Sequence, residues 1–260
     1  MPYTPGQLLS IGMLVLFGGM LQGAVGFGFG LFAVPLLVWI DMPLPSAIVL
    51  TMTVTFFQTV YHCHTYRRLL RWRPTVPILV LRVITLPIGI ALLALLTQAG
   101  TTRVKQVVGA ALLLVVVAQW ALRVRPQQYV HPGWTVLAGT ISGIMAGMLG
   151  MGGPALMLWV MAHRWSGKRA RLFMWLTFVQ ITPFNIAMLY YRFGDVIWDG
   201  VLIGVATTPI GLVGAKIGIV LGDGLSRQRL RNVVYIMLIL IAIASIAAPL
   251  LAPPPSEISP

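Results

Sequence analysis

The sequence predicts an all-α polytopic membrane protein built from two inverted repeats, each a broken, re-entrant helical hairpin followed by three transmembrane helices. Composition, an internal duplication and the placement of basic residues carry that prediction. The 260 residues are 58% hydrophobic and only 9% charged, where a soluble domain carries roughly a quarter charged residues. Apolar stretches of about 20 residues, each long enough to cross a bilayer core, recur from end to end. The short alternating strands of a membrane barrel do not.

The duplication is written in four matches. TFFQ (Thr55–Gln58) returns as TFVQ (Thr177–Gln180), and TLPIG (Thr85–Gly89) as TTPIG (Thr207–Gly211), both displaced by 122 positions. RVKQVV from Arg103 is echoed by RLRNVV from Arg229 at a displacement of 126. The glycine run around Gly28 has a counterpart in GMLGMGGP (Gly147–Pro154), with Gly28 on Gly150 and Gly30 on Gly152. Matches in the same order define two halves, 1–125 and 126–251, followed by a proline-rich tail, 252–260, expected to be disordered.

Each half reads as four apolar stretches: 8–40, 44–66, 75–97 and 103–124, then 133–162, 170–191, 196–221 and 229–251. As one helix, the 33 residues from Leu8 to Ile40 would be about 50 Å long, against a hydrocarbon core of about 30 Å. Cut at the glycines, Leu8–Leu21 and Leu31–Ile40 give about 21 and 15 Å, each too short to span. A hairpin that leaves by the face it entered fits both lengths. Gly19-x-x-x-Gly23 and Gly139-x-x-x-Gly143 permit the other reading, a single tilted helix packed through small residues.

Basic residues favour the hairpin. If all eight stretches cross, the flanking Arg and Lys divide seven against nine; with a hairpin opening each half, they divide thirteen against three. Loops 67–73, 123–125, 164–171 and 227–231 are then cytoplasmic, with Asp41, Asp195 and Asp199 on the opposite side. Three crossings per half, an odd number, invert one half relative to the other.

Backbone groups freed by a break must be buried in protein or line a watery cavity, and paired breaks in inverted repeats are where secondary transporters hold substrate. The second arm of each hairpin is expected to start near Leu31 and near Pro154, presenting unpaired N–H donors and a positive dipole end. Proline suits such a first turn. Two such ends facing each other make a site for a small anion.

The candidate residues are therefore Gly26, Gly28 and Gly30 in the first run, and Gly150, Gly152, Gly153 and Pro154 in the second. The duplicated pairs Thr55 with Gln58 and Thr177 with Gln180 join them, either as ligands or as helix glue. No Asp or Glu lies deep in a span, so a carboxylate cage for a metal or organic cation is lacking. Lys216 lies close enough to a span end to snorkel; Arg82, about 12 Å along its helix from Pro74, either snorkels or lines the cavity. Asn185 has no mate in the other half and reads as structural, while Pro87 and Pro209 kink the third span of each half.

Other classes fall away. A net charge of +13 suggests nucleic acid in a soluble protein, but here the basic residues sit in short clusters between apolar stretches, as a topology signal does. Cys63 is the only cysteine, which excludes an intramolecular disulfide and a cysteine metal motif. His62, Cys63 and His64 cannot all converge on one ion from a single helix, so no metal or cofactor is expected; a proton-coupling role for His62 stays open. GFGFG breaks the dinucleotide spacing at Leu31, GTISG does not match a nucleophile elbow, and no P-loop lysine exists, so an enzyme is not expected. The N-terminus has no basic leader region, so the first apolar stretch is expected to be retained.

The pair GAVGFGFGLFAVPLL and GMLGMGGPALMLW, in four-stretch halves of about 260 residues in all, resembles the TauE/SafE family of membrane permeases, also called sulfite exporter family proteins. The resemblance covers nearly the whole chain and implies transport of a small sulfur oxyanion or organosulfonate, such as sulfite or sulfoacetate, across the bacterial inner membrane. It carries over no family-wide site residue. The partners expected are the anion and membrane lipids, with a homodimer left open and nucleic acid excluded. A secondary transporter working by alternating access is the first reading, and a passive anion channel of the same architecture the alternative.

Overall fold

A computed structural model describes residues 3–121, 126, 127, 130–150 and 152–224, together with 236, 239, 242 and 243. The expected eighth stretch at 229–251, the basic segments 123–125 and 227–231 and the tail at 252–260 lie wholly or almost wholly outside the described residues. Nine α-helices fill the described part: α1 (Pro5–Val25), α2 (Phe29–Trp39), α3 (Leu44–Thr65), α4 (Val76–Gln98), α5 (Thr101–Ala121), α6 (Pro132–Leu149), α7 (Gly153–Met161), α8 (Gly167–Phe193) and α9 (Trp198–Gly224). No strand occurs among the described residues, only a single bridge between Gln127 and His163. The α1, α3, α4 and α6 helices and the continuous run Gly167–Gly224 are each long and apolar enough to cross a membrane. This is an all-α polytopic membrane fold.

Both long first stretches are hairpins. The side chain of Gln7, at the start of α1, donates from Nε2 to the carbonyl of Ile40, just past the end of α2, at 3.3 Å. Trp159 Nε1 near the end of α7 donates to Thr135 Oγ1 near the start of α6 at 3.0 Å. A chain whose entry and exit touch has turned back on itself.

The arms differ from the expected lengths. With 21 and 18 residues, α1 and α6 are about 31 and 27 Å long, enough to traverse the bundle, and only the return arms are short. The reason lies in two details. Thr4 and Gln7 form a capping box with Pro5 in the first turn, so α1 starts before Leu8. And Gly18, Gly19 and Gly23 do not break the helix; they let it press against Phe29, Gly211 and Ala215. The turn is confined to Gly26–Gly28.

Contacts sort the loops into two ends. At one end Lys105 pairs with Asp41 at 3.5 Å, and Ser46 Oγ donates to the Val196 carbonyl beside Asp195. At the other, Arg171 pairs with Asp223 at 2.6 Å, Lys168 lies over Tyr66, and Arg71 and Arg169 line one groove. Among the described residues, the segments around Arg71 and Arg164–Arg171 thus gather away from Asp41 and Asp195.

The central helix is α3, with 78% of its apolar window buried. Its main neighbours are α9, α8 and α2; α1 packs along α9, and α6 along α4. Both seams are glycine-lined: Gly214 and Gly218 meet Leu16 and Met20 backbone, and Gly89 and Gly147 meet each other's helix.

Candidate functional site

Two left-handed residues, Gly26 (φ 94°) and Gly28 (φ 109°), end α1 and redirect the chain. A side chain is strained at such φ values, which is why glycine stands there. The second hairpin turns at Gly150 (φ 69°). The return arms then start at Phe29 and Gly153, and neither N-terminus is capped by a side chain. One first-turn donor is used internally: Phe29 N–H donates to Gln22 Oε1 at 3.5 Å. Both N-termini open on one cavity of about 500 Å³, its mouth included, lined by Gly28, Gly30 and Leu31 from one hairpin and Gly150, Gly152, Gly153 and Pro154 from the other. Unsatisfied N–H groups and two positive dipole ends converge there.

Arg82 lines the same cavity, against the start of α7. It sits on α4, is 1% exposed, and does not snorkel. Its Nη1 donates to the Thr177 carbonyl at 3.2 Å, its guanidinium lies 5.8 Å from the Phe178 ring centroid, and its Nε has no partner among the described residues. The ion pairs among the described residues engage Asp41 and Asp223 with Lys105 and Arg171, never Arg82. A buried cation without a carboxylate is costly unless something anionic completes it.

The remaining wall is polar. Thr182 and Asn185, three residues apart on one face of α8, line the cavity with Thr51 and Thr55 of α3 and Gln22 of α1. Asn185 Nδ2 donates to the Ala146 carbonyl at 3.0 Å, while Asn185 Oδ1 and Gln22 Nε2 are buried without a partner among the described residues. Asn185 thus ties α8 to α6, as the structural reading expects, and its carbonyl oxygen is left without a partner among the described residues.

Of the candidates read from sequence, Gly28, Gly30, Gly150, Gly152, Gly153, Pro154, Thr55 and Arg82 are brought together. Thr177 contributes its carbonyl to Arg82 while its hydroxyl donates to Met174. Gly26 lies instead against Arg171. Gln58 is fully buried in the α1–α9 seam, where a Cβ on Gly19 would stand 2.9 Å from its Nε2, and it does not line the cavity. Gln180 is also outside, with its Oε1 buried and unpartnered among the described residues. Gln22, Thr51 and Thr182 were not anticipated. The helical spacing of Phe178, Thr182 and Asn185 was the available signal, because it puts two polar side chains on one face of an apolar span.

Away from the cavity, His62 stacks on Trp175 at 4.4 Å and is buried, whereas His64 is exposed. Lys216 is exposed, with its ammonium over the Tyr61 ring.

A family model described as sulfite exporter TauE/SafE matches residues 11–245, nearly the whole chain. No match was found among curated proteins or among solved structures.

Proposed function

The chain belongs to the sulfite exporter TauE/SafE family, whose members are membrane transporters of small sulfur anions such as sulfite, and from that premise we propose that it is a secondary transporter holding its anion between the two hairpin tips. Arg82 carries the proposal: a buried guanidinium with no carboxylate partner among the described residues, standing at a cavity onto which two uncapped helix N-termini open. An oxyanion at that point takes charge-assisted hydrogen bonds from the guanidinium and further ones from the backbone. Thr51 and Thr55 fall near the middle of α3, which supports a site near mid-membrane.

The two halves act as inverted repeats in this reading. Support comes from the two hairpins and from the reciprocal seams. Those seams differ in register. Gly89 packs on Gly147, three residues before Gly150, whereas its mate Gly211 packs on Gly19, nine before Gly28. Six residues of helix are about 9 Å. One hairpin is therefore further along its track than the other, and exchange of the two registers would carry the site from one side to the other. The basic end faces the cytoplasm of a bacterial inner membrane.

The test is exchange in proteoliposomes. Efflux of labelled sulfite should accelerate when unlabelled sulfite is added outside, because a carrier returns faster loaded than empty. A passive pore gives efflux indifferent to the anion outside.

A further inference from the structure

We propose that the species held at this site is a monoanion that keeps a hydrogen-bond donor, a hydrogen oxyanion such as hydrogensulfite, and not a dianion; this rests on the transporter reading above. The residues that line the cavity carry two kinds of polar atom. The donors are Arg82 Nε, Gln22 Nε2 and the backbone N–H groups that open α2 and α7. Gln22 must offer its NH₂ group there, because Phe29 N–H already occupies Oε1.

Other atoms of the lining residues accept. Asn185 donates one N–H to the Ala146 carbonyl, which orients the amide and leaves its carbonyl oxygen Oδ1 unpartnered among the described residues. The Thr182 hydroxyl hydrogen is committed to the Phe178 carbonyl and that of Thr51 to the Ile48 carbonyl, both at 2.8 Å. Each of those oxygens is left with lone pairs. A ligand that is all acceptor would satisfy the donors and leave Asn185 Oδ1 without a partner. One that carries an O–H satisfies both.

Charge gives the same answer independently. Arg82 is the only ionised side chain lining the cavity among the described residues. Arg171 is paired with Asp223, and Lys216 stands beside Tyr61 at the basic end. One guanidinium neutralises one full charge, and the two helix N-termini add only partial charges, so a monoanion is the ligand that the ionised lining balances.

The experiment is competition against labelled sulfite uptake in proteoliposomes at a series of pH values spanning the ionisation of hydrogensulfite. The half-saturation concentration, expressed as total sulfite, should be flat on the acid side and rise about tenfold per pH unit on the alkaline side, as the protonated fraction falls. Two sulfonates of fixed charge control for titration of the protein: 2-hydroxyethanesulfonate should compete better than propanesulfonate at every pH, and Thr182→Val should narrow that gap. Sulfate should compete poorly throughout. A half-saturation concentration independent of pH, equal competition by sulfate, or an absolute requirement for sodium that assigns the accepting oxygens to a cation would each overturn the inference. A protein that moves no anion at any pH overturns the transporter reading itself.

Discussion

Gly152 and Arg82 compete for the same space: a Cβ built on Gly152 would stand 2.8 Å from Nη2 of Arg82 and 2.7 Å from the Ser142 carbonyl. The start of α7 is therefore glycine because the guanidinium lies against it, and the hairpin tip is held there by Ser142 Oγ donating to the Gly152 carbonyl at 2.6 Å. Gly152→Ala should displace the guanidinium and raise the half-saturation concentration for sulfite about tenfold, equivalent to roughly 1.4 kcal/mol. Transport kinetics on the purified variant check this; wild-type values would mean Arg82 is not held where the anion binds.

Arg82→Gln removes the buried charge while keeping a donor near the Thr177 carbonyl. Without ligand the variant should melt at or above the wild-type temperature, by a few degrees at most, because an uncompensated charge has gone. Sulfite should no longer raise that temperature, since stabilisation by a ligand needs a bound state. A variant that melts lower and still responds to sulfite would assign Arg82 to structure.

Gln58 lies in the seam between Gly19 and Gly211, outside the cavity. Gln58→Leu should leave the half-saturation concentration within about twofold of wild type and change the maximal rate, the behaviour of a residue on a moving interface. The split between the two kinetic constants decides the matter, and a change in half-saturation alone would return Gln58 to the binding site.

The hairpins make a topological prediction. In a Cys63→Ala background, Tyr3→Cys and Asp41→Cys should react with an impermeant thiol reagent from the same side of the membrane, and Arg164→Cys from the other. Labelling of positions 3 and 41 from opposite sides contradicts the re-entrant first hairpin.

Much of this was legible in the sequence, for reasons that particular residues make plain. The glycine run, the basic loops and the repeat placed the hairpins, because a left-handed backbone at Gly26 and Gly28 admits little else. The lengths of the arms were less legible: Gly18, Gly19 and Gly23 look like helix breakers, and only the neighbouring helix reveals that they are contact surfaces. Position along the chain suggested that Arg82 snorkels as readily as that it lines a cavity; the neighbouring Thr177 carbonyl and Phe178 ring, nearly a hundred residues on, decide it. Duplication drew attention to Gln58 and Gln180, yet the cavity uses Gln22, Thr182 and Asn185 instead, of which Asn185 falls opposite Cys63 at the displacement of 122. A site between two halves takes different residues from each, so a repeat marks its place better than its lining.

The most direct test is to see the anion. Selenite is a heavy counterpart of sulfite, and its selenium can be located by anomalous scattering in crystals grown with it. The account predicts one selenium position within about 4 Å of the Arg82 guanidinium, between the starts of α2 and α7, as expected for a charge-assisted oxyanion contact. Selenium bound elsewhere in the membrane-spanning region, with the Arg82 cavity empty, would contradict it.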